Sequence, residues 1–95
     1  MASDDSIRRC QVQIVNRLGL HARAAARFAT LAGEYTAAVT VHFSGHSANG
    51  KSIMGLMMLA AGQGSELELV AEGPDAEQAI AGIRALVADG FGETD

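Results

Sequence analysis

Leu18-Gly19-Leu20-His21-Ala22-Arg23-Ala24-Ala25-Ala26 joins a strand pattern to a helix pattern. Just upstream, Val12 and Ile14 alternate with Gln11 and Gln13, which predicts a half-buried strand over Gln11 to Val15. Just downstream, Ala25, Phe28, Ala29 and Ala32 recur at i, i+3, i+4 and i+7. That spacing predicts a helix from about Ala22 to Gly33 with one buried stripe, Gly33 serving as its stop. Arg17 to Leu20 is the loop between them, where Gly19 frees the backbone. His21 then stands at the mouth of a helix, among N–H groups that lack intrahelical partners and favour an anion. Arg23 and Arg27 lie one turn apart in the first two turns, where cations oppose the helix dipole and each other. A bound anion would account for them. Spacing alone also fits a plain cap histidine and arginines that only solvate the helix.

The 95 residues suit one small domain with a modest core, and 48% hydrophobic content predicts a globular chain. No apolar run approaches the roughly 20 residues needed to span a bilayer. The opening Met1-Ala2-Ser3-Asp4-Asp5-Ser6 is acidic, unlike a secretory signal, and residues 1–8 read as a flexible tail. Cys10, the single cysteine, has no internal disulfide partner. These features predict a cytoplasmic protein. Net charge is -4 but unevenly placed. Arg8, Arg9, Arg17, Arg23, Arg27 and Lys51 precede Ser52 against Asp4, Asp5 and Glu34, whereas Arg84 alone follows it among Glu66, Glu68, Glu72, Asp75, Glu77, Asp89, Glu93 and Asp95. A basic face on an acidic protein suits a phosphate or an acidic partner better than a nucleic-acid track. The lack of tryptophan also removes the best base-stacking platform. His21, His42 and His46 show no metal-ligand spacing, so no metal or other cofactor is expected.

Farther along, Ala38 to Phe43 alternates with Val39, Val41 and Phe43 inward, Ser44-Gly45 turns, and His46 to Asn49 returns. Ser52 is placed to cap a short helix reaching about Ala60. Leu56 and Leu59 are its buried residues, and Ile53, Met54 and Met57 are left as an exposed, adaptable patch. After Gly62-Gln63-Gly64, Glu66 to Glu72 forms a strand with Leu67, Leu69 and Ala71 inward. Pro74-Asp75 opens the last helix, where Asp75 and Gln78 have capping-box spacing. Ala76, Ala79, Ile80, Ile83 and Val87 form its stripe, and Gly90-Phe91 reads as a C-terminal cap. The order βαββαβα predicts an α+β fold, a four-stranded antiparallel sheet with three helices on one face.

Asn16-Arg17-Leu18-Gly19-Leu20-His21-Ala22-Arg23 with its alanine-rich helix resembles the active-site motif of the histidine-containing phosphocarrier (HPr) family. Gly50-Lys51-Ser52-Ile53-Met54-Gly55-Leu56-Met57-Met58-Leu59 resembles that family's regulatory-serine motif, and the resemblance runs from about Arg9 to Gly92. It departs at Ala24, where the family commonly has proline. The resemblance implies an open-faced β-sandwich. It also implies a phosphoryl group taken on His21 from enzyme I, with Nδ1 reacting and Arg23 stabilising the phosphate, and passed to enzyme IIA domains. Ser52 would be phosphorylated by an HPr kinase/phosphorylase. Leu20, Arg23, Arg27, Ile53, Met54 and Met57 would meet partners, and the carrier would be a monomer rather than a stand-alone enzyme. Gly50 to Leu59 looks like kinase-regulated HPr, whereas Ala88 to Glu93 looks like the nitrogen-type branch, so the sugar and nitrogen branches both stay open. The alternative is a regulatory docking module that works through Ser52, Ile53, Met54 and Met57 without productive transfer.

Overall fold

The computed structural model describes residues 6–93. β1 (Ile7–Gln13) leads to α1 (Ala22–Ala32), followed by β2 (Ala38–Phe43) and β3 (His46–Asn49). α2 (Ile53–Met58), β4 (Glu66–Glu72) and α3 (Ala76–Ala88) complete the order, and a 3-10 turn, Gly90–Gly92, follows α3. The strands form one sheet in the order β1-β4-β2-β3, every pair antiparallel. β4 runs through the middle, from Ile7↔Glu72 to Gln13↔Glu66 on one side and from Ala38↔Glu72 to His42↔Glu68 on the other. This is the expected open-faced arrangement.

Alternation sets the two faces of the sheet. Val12, Val39, Val41, Leu67, Leu69 and Ala71 are buried, whereas Gln11, Gln13, His42 and Glu66 are exposed. α3 lies against β1 and β4, and α1 packs on α2 and α3. Ala25, Phe28, Ala29 and Ala32 of α1 are buried as the periodicity predicts, joined by Ala24. Ser44 and Gly45 both take positive φ, the two-residue hairpin turn whose twist matches its strands. Cys10 is a free cysteine partly buried against the core. Among the described residues, no helix is long and apolar enough to cross a membrane.

Three expectations need correction. β1 begins at Ile7, inside the segment read as a tail, because Ile7 and Arg8 pair with Glu72 and Ala71 of β4. Residues 1–5 lie outside the described residues. Asp75 makes no capping bond to its own helix. Its two carboxylate oxygens accept instead from the Thr36 and Ala37 N–H groups, each at 2.8 Å, which ties the start of α3 to the loop entering β2. Leu20, expected at the surface, is in the core.

The Thr36 N–H, ahead of that of Ala37, holds the Asp75 carboxyl below its ordinary range. Asn16 first, and then His21, does the same for Glu93. Both groups favour the charged form when folded, so their stabilisation is complete above the unfolded carboxylate values of roughly 4 and is lost as pH falls through the lower folded values. The thermal unfolding temperature is therefore expected to drop below about pH 4. Asp75→Asn should flatten that decline, and an unchanged slope would contradict the clamp.

Candidate functional site

His21 is the N-cap of α1, with extended backbone (φ -74°, ψ -179°) and no side-chain capping bond. The first intrahelical bond runs from the Ala25 N–H to the His21 carbonyl at 2.8 Å. The amides of Ala22, Arg23 and Ala24 precede that bond, and the first turn holds no acidic residue. Helix-start amides with no internal carboxylate to occupy them are suited to an external anion. Ala24 is fully buried in this turn, so the helix starts without the family's proline, as alanine's helix propensity allows.

A cleft of about 530 Å³ opens at this helix mouth, lined by Leu18, His21, Ala22, Arg23, Arg27, Gly92 and Glu93. The His21 side chain is 27% exposed, enough for a reactant to reach the ring. Arg23 is exposed at the cleft. Arg27 donates through Nη1 to the Phe91 carbonyl, tying α1 to the turn after α3. The structure thus brings His21, Arg23 and Arg27 into one site.

Glu93 belongs to that site, and sequence reasoning missed it. One of its carboxylate oxygens meets Nε2 of His21, and the other accepts from Asn16 Nδ2 at 3.0 Å. Asn16 is 3% exposed and also donates to the Gly19 carbonyl at 2.9 Å. The Asn16 bond, ahead of that to His21 and the nearby Arg23 charge, draws the Glu93 carboxyl below its ordinary range. The site carboxylate is therefore ionised at neutral pH. The only available signal was the glycine-flanked ending Gly90-Phe91-Gly92-Glu93, whose positive φ values at Gly90, Phe91 and Gly92 turn the chain back over the helix mouth.

Leu20 is 4% exposed and packs in the core, so it is not a partner-binding residue. Gly19 has φ +68°, and a Cβ there would come within 2.5 Å of the Ala61 carbonyl oxygen. That reversal sends Leu20 inward, its N–H bonded to Ala61 at 2.9 Å, and leaves Leu18 58% exposed at the cleft.

Ser52, Ile53, Met54 and Met57 lie outside the cleft, on α2 and its cap. The Ser52 hydroxyl accepts from the Gly55 N–H at 3.0 Å, the expected cap. Leu56 and Leu59 are buried, while Ile53, Met54 and Met57 are exposed. Met58 is the most exposed of the group at 80%, a residue the sequence reading left out. Met54, Met57 and Met58 stand at i, i+3 and i+4 and so share the outward side of the helix. Among the described residues, no group of three or more His, Cys, Asp and Glu could hold a metal.

Comparison with known proteins points to one family. The family described as "PTS HPr component phosphorylation site" matches residues 8–89. A phosphocarrier protein HPr of Cupriavidus necator is 49% identical over 80 residues, 84% of this chain and 90% of that protein. A phosphocarrier protein NPr of Shewanella violacea is 45% identical over 83 residues, 87% of this chain and 91% of its own. The crystal structure of an HPr from Thermoanaerobacter tengcongensis superposes with a TM-score of 0.89 at 39% identity, covering 93% of this chain and 99% of that one. The match over residues 8–89 and the identity to these relatives across most of the chain show that it belongs to the HPr family of phosphotransferase-system phosphocarriers.

Proposed function

We propose that the chain accepts a phosphoryl group on His21 from enzyme I and passes it to enzyme IIA domains. The observation that carries this reading is the reachable His21 ring at the start of α1, whose own first turn holds no acidic residue, with Arg23 lining the same cleft. Neutral imidazole is both unprotonated and nucleophilic near pH 7. The incoming group brings close to two negative charges, which helix-start amides and a guanidinium meet with charge-assisted hydrogen bonds. Leu18, Arg23 and Arg27 offer docking contacts at the cleft, and Ile53, Met54, Met57 and Met58 extend the surface on α2, which packs against α1. The reading takes the carrier as a cytoplasmic monomer. Incubation with phosphoenolpyruvate and enzyme I should give an acid-labile adduct that His21→Ala lacks. Failure of the native chain to form it would favour the docking-module reading, in which α2 acts without transfer.

Ser52 is the proposed regulatory site, modified by an HPr kinase/phosphorylase. A phosphate on the cap of α2 sits at a helix N-terminus and leaves the helix intact. Its charge would lie beside Ile53 and oppose an acidic partner. Ser52→Asp is expected to slow phosphorylation of His21 severalfold with unchanged helix content. Equal rates for Ser52→Asp and the native chain would count against the switch.

A further inference from the structure

We propose that Glu93 is a positioning residue for phosphoryl transfer, holding the His21 ring by its Nε2–H so that Nδ1 presents the attacking lone pair. The inference rests on the reading of His21 as the phosphoryl acceptor. An ionised carboxylate only accepts hydrogen bonds, so the ring nitrogen facing Glu93 carries the hydrogen. In a neutral imidazole the other nitrogen, Nδ1, then holds the lone pair. Glu93 is itself fixed: Asn16 Nδ2 takes its second oxygen, and Asn16 is anchored to the Gly19 carbonyl in the loop before the helix. The Glu93 side chain is only 9% exposed. Arg27, bonded to the Phe91 carbonyl, pins the turn that delivers it.

The step balances without any further reactant. The Nδ1 lone pair forms the N–P bond, and the bond from phosphorus to the phosphorylated donor protein breaks with its electron pair leaving on the donor. The Nε2 proton stays on the ring, which gains a positive charge facing the Glu93 carboxylate. When the phosphoryl group moves on to an acceptor, the N–P electron pair returns to Nδ1 and that charge disappears. The carboxylate thus favours formation of the adduct from the side of the ring opposite the phosphate and makes no bond to the phosphate itself.

The test compares the native chain with Glu93→Ala and Glu93→Gln. The native chain should give a slowly exchanging, low-field ring N–H proton resonance for His21, which Glu93→Ala loses. With phosphorylated enzyme I as donor, Glu93→Ala should lower kcat about tenfold with little change in KM, a smaller loss than for a fully buried orienting carboxylate. Glu93→Gln keeps a neutral acceptor, so it should retain the resonance and recover only part of the rate. A normally phosphorylated native chain whose Glu93→Ala variant reacts at the native rate, or keeps the protected resonance, overturns the inference alone. A native chain that takes no phosphoryl group overturns the His21 reading and this inference with it.

Discussion

Arg23→Ala is expected to slow phosphorylation of His21 by on the order of a hundredfold while leaving the fold at least as stable. Arg23 is exposed in the first turn of α1 and lines the cleft, so its removal creates no cavity. A cation there opposes the helix dipole, and its loss should stabilise the helix by a few tenths of a kcal/mol. In the proposed transfer the balance reverses, because the guanidinium would face charge that gathers on the phosphoryl oxygens. Removing one preorganised donor from such a site costs about 10² to 10³ in rate. Arg23→Lys keeps the charge without the planar fork and should fall between the two. Stopped transfer kinetics and thermal unfolding on the same samples check both halves. A variant that lost stability and rate together would mean that Arg23 serves the fold.

Phe28→Ala should cost about 3 to 5 kcal/mol, a large share of the total stability of a small domain. Phe28 is fully buried on α1, and a Cβ built at Gly50 would lie 3.2 Å from its ring and 2.6 Å from Val39. Three elements therefore meet at this aromatic ring: α1, β2 and the turn leaving β3. Truncation leaves a void that Gly50 and Val39 cannot fill. Denaturant titration reads the loss directly, and a change below about 1 kcal/mol would mean that the core closes over the gap. Because His21 is the cap of the same helix, adduct formation should fall at temperatures where Phe28→Ala begins to unfold.

Legibility in the sequence followed how local the deciding interaction was. β4 was readable because Glu66 to Glu72 alternates cleanly between glycine-bearing segments, and its observed limits are the expected ones. β1 was readable only from Gln11 onward, since Ile7-Arg8-Arg9-Cys10 has no alternation and is extended by its pairing with β4. Leu20 looked like part of the exposed loop because a positive φ at Gly19 decides its direction, and no side-chain pattern records that angle. The Asp75-Gln78 spacing matched a capping box, yet the carboxylate is taken by the amides of Thr36 and Ala37, far away in sequence. Glu93 was invisible for the same reason, lying across a three-residue turn from a histidine near the other end of the chain. His21, Arg23 and Arg27 were legible because one helix start holds all three.

A phosphocarrier must hold a phosphoryl group on His21 that can leave again. The most direct measurement charges the native chain with phosphoenolpyruvate and enzyme I, removes the donor, adds a purified enzyme IIA domain, and follows the label. The phosphoryl group is expected to disappear from His21 and appear on the IIA domain, with nothing carried by His21→Ala. A chain that never acquires the label, or one that keeps it in the presence of IIA domains of both the sugar and the nitrogen type, would contradict it.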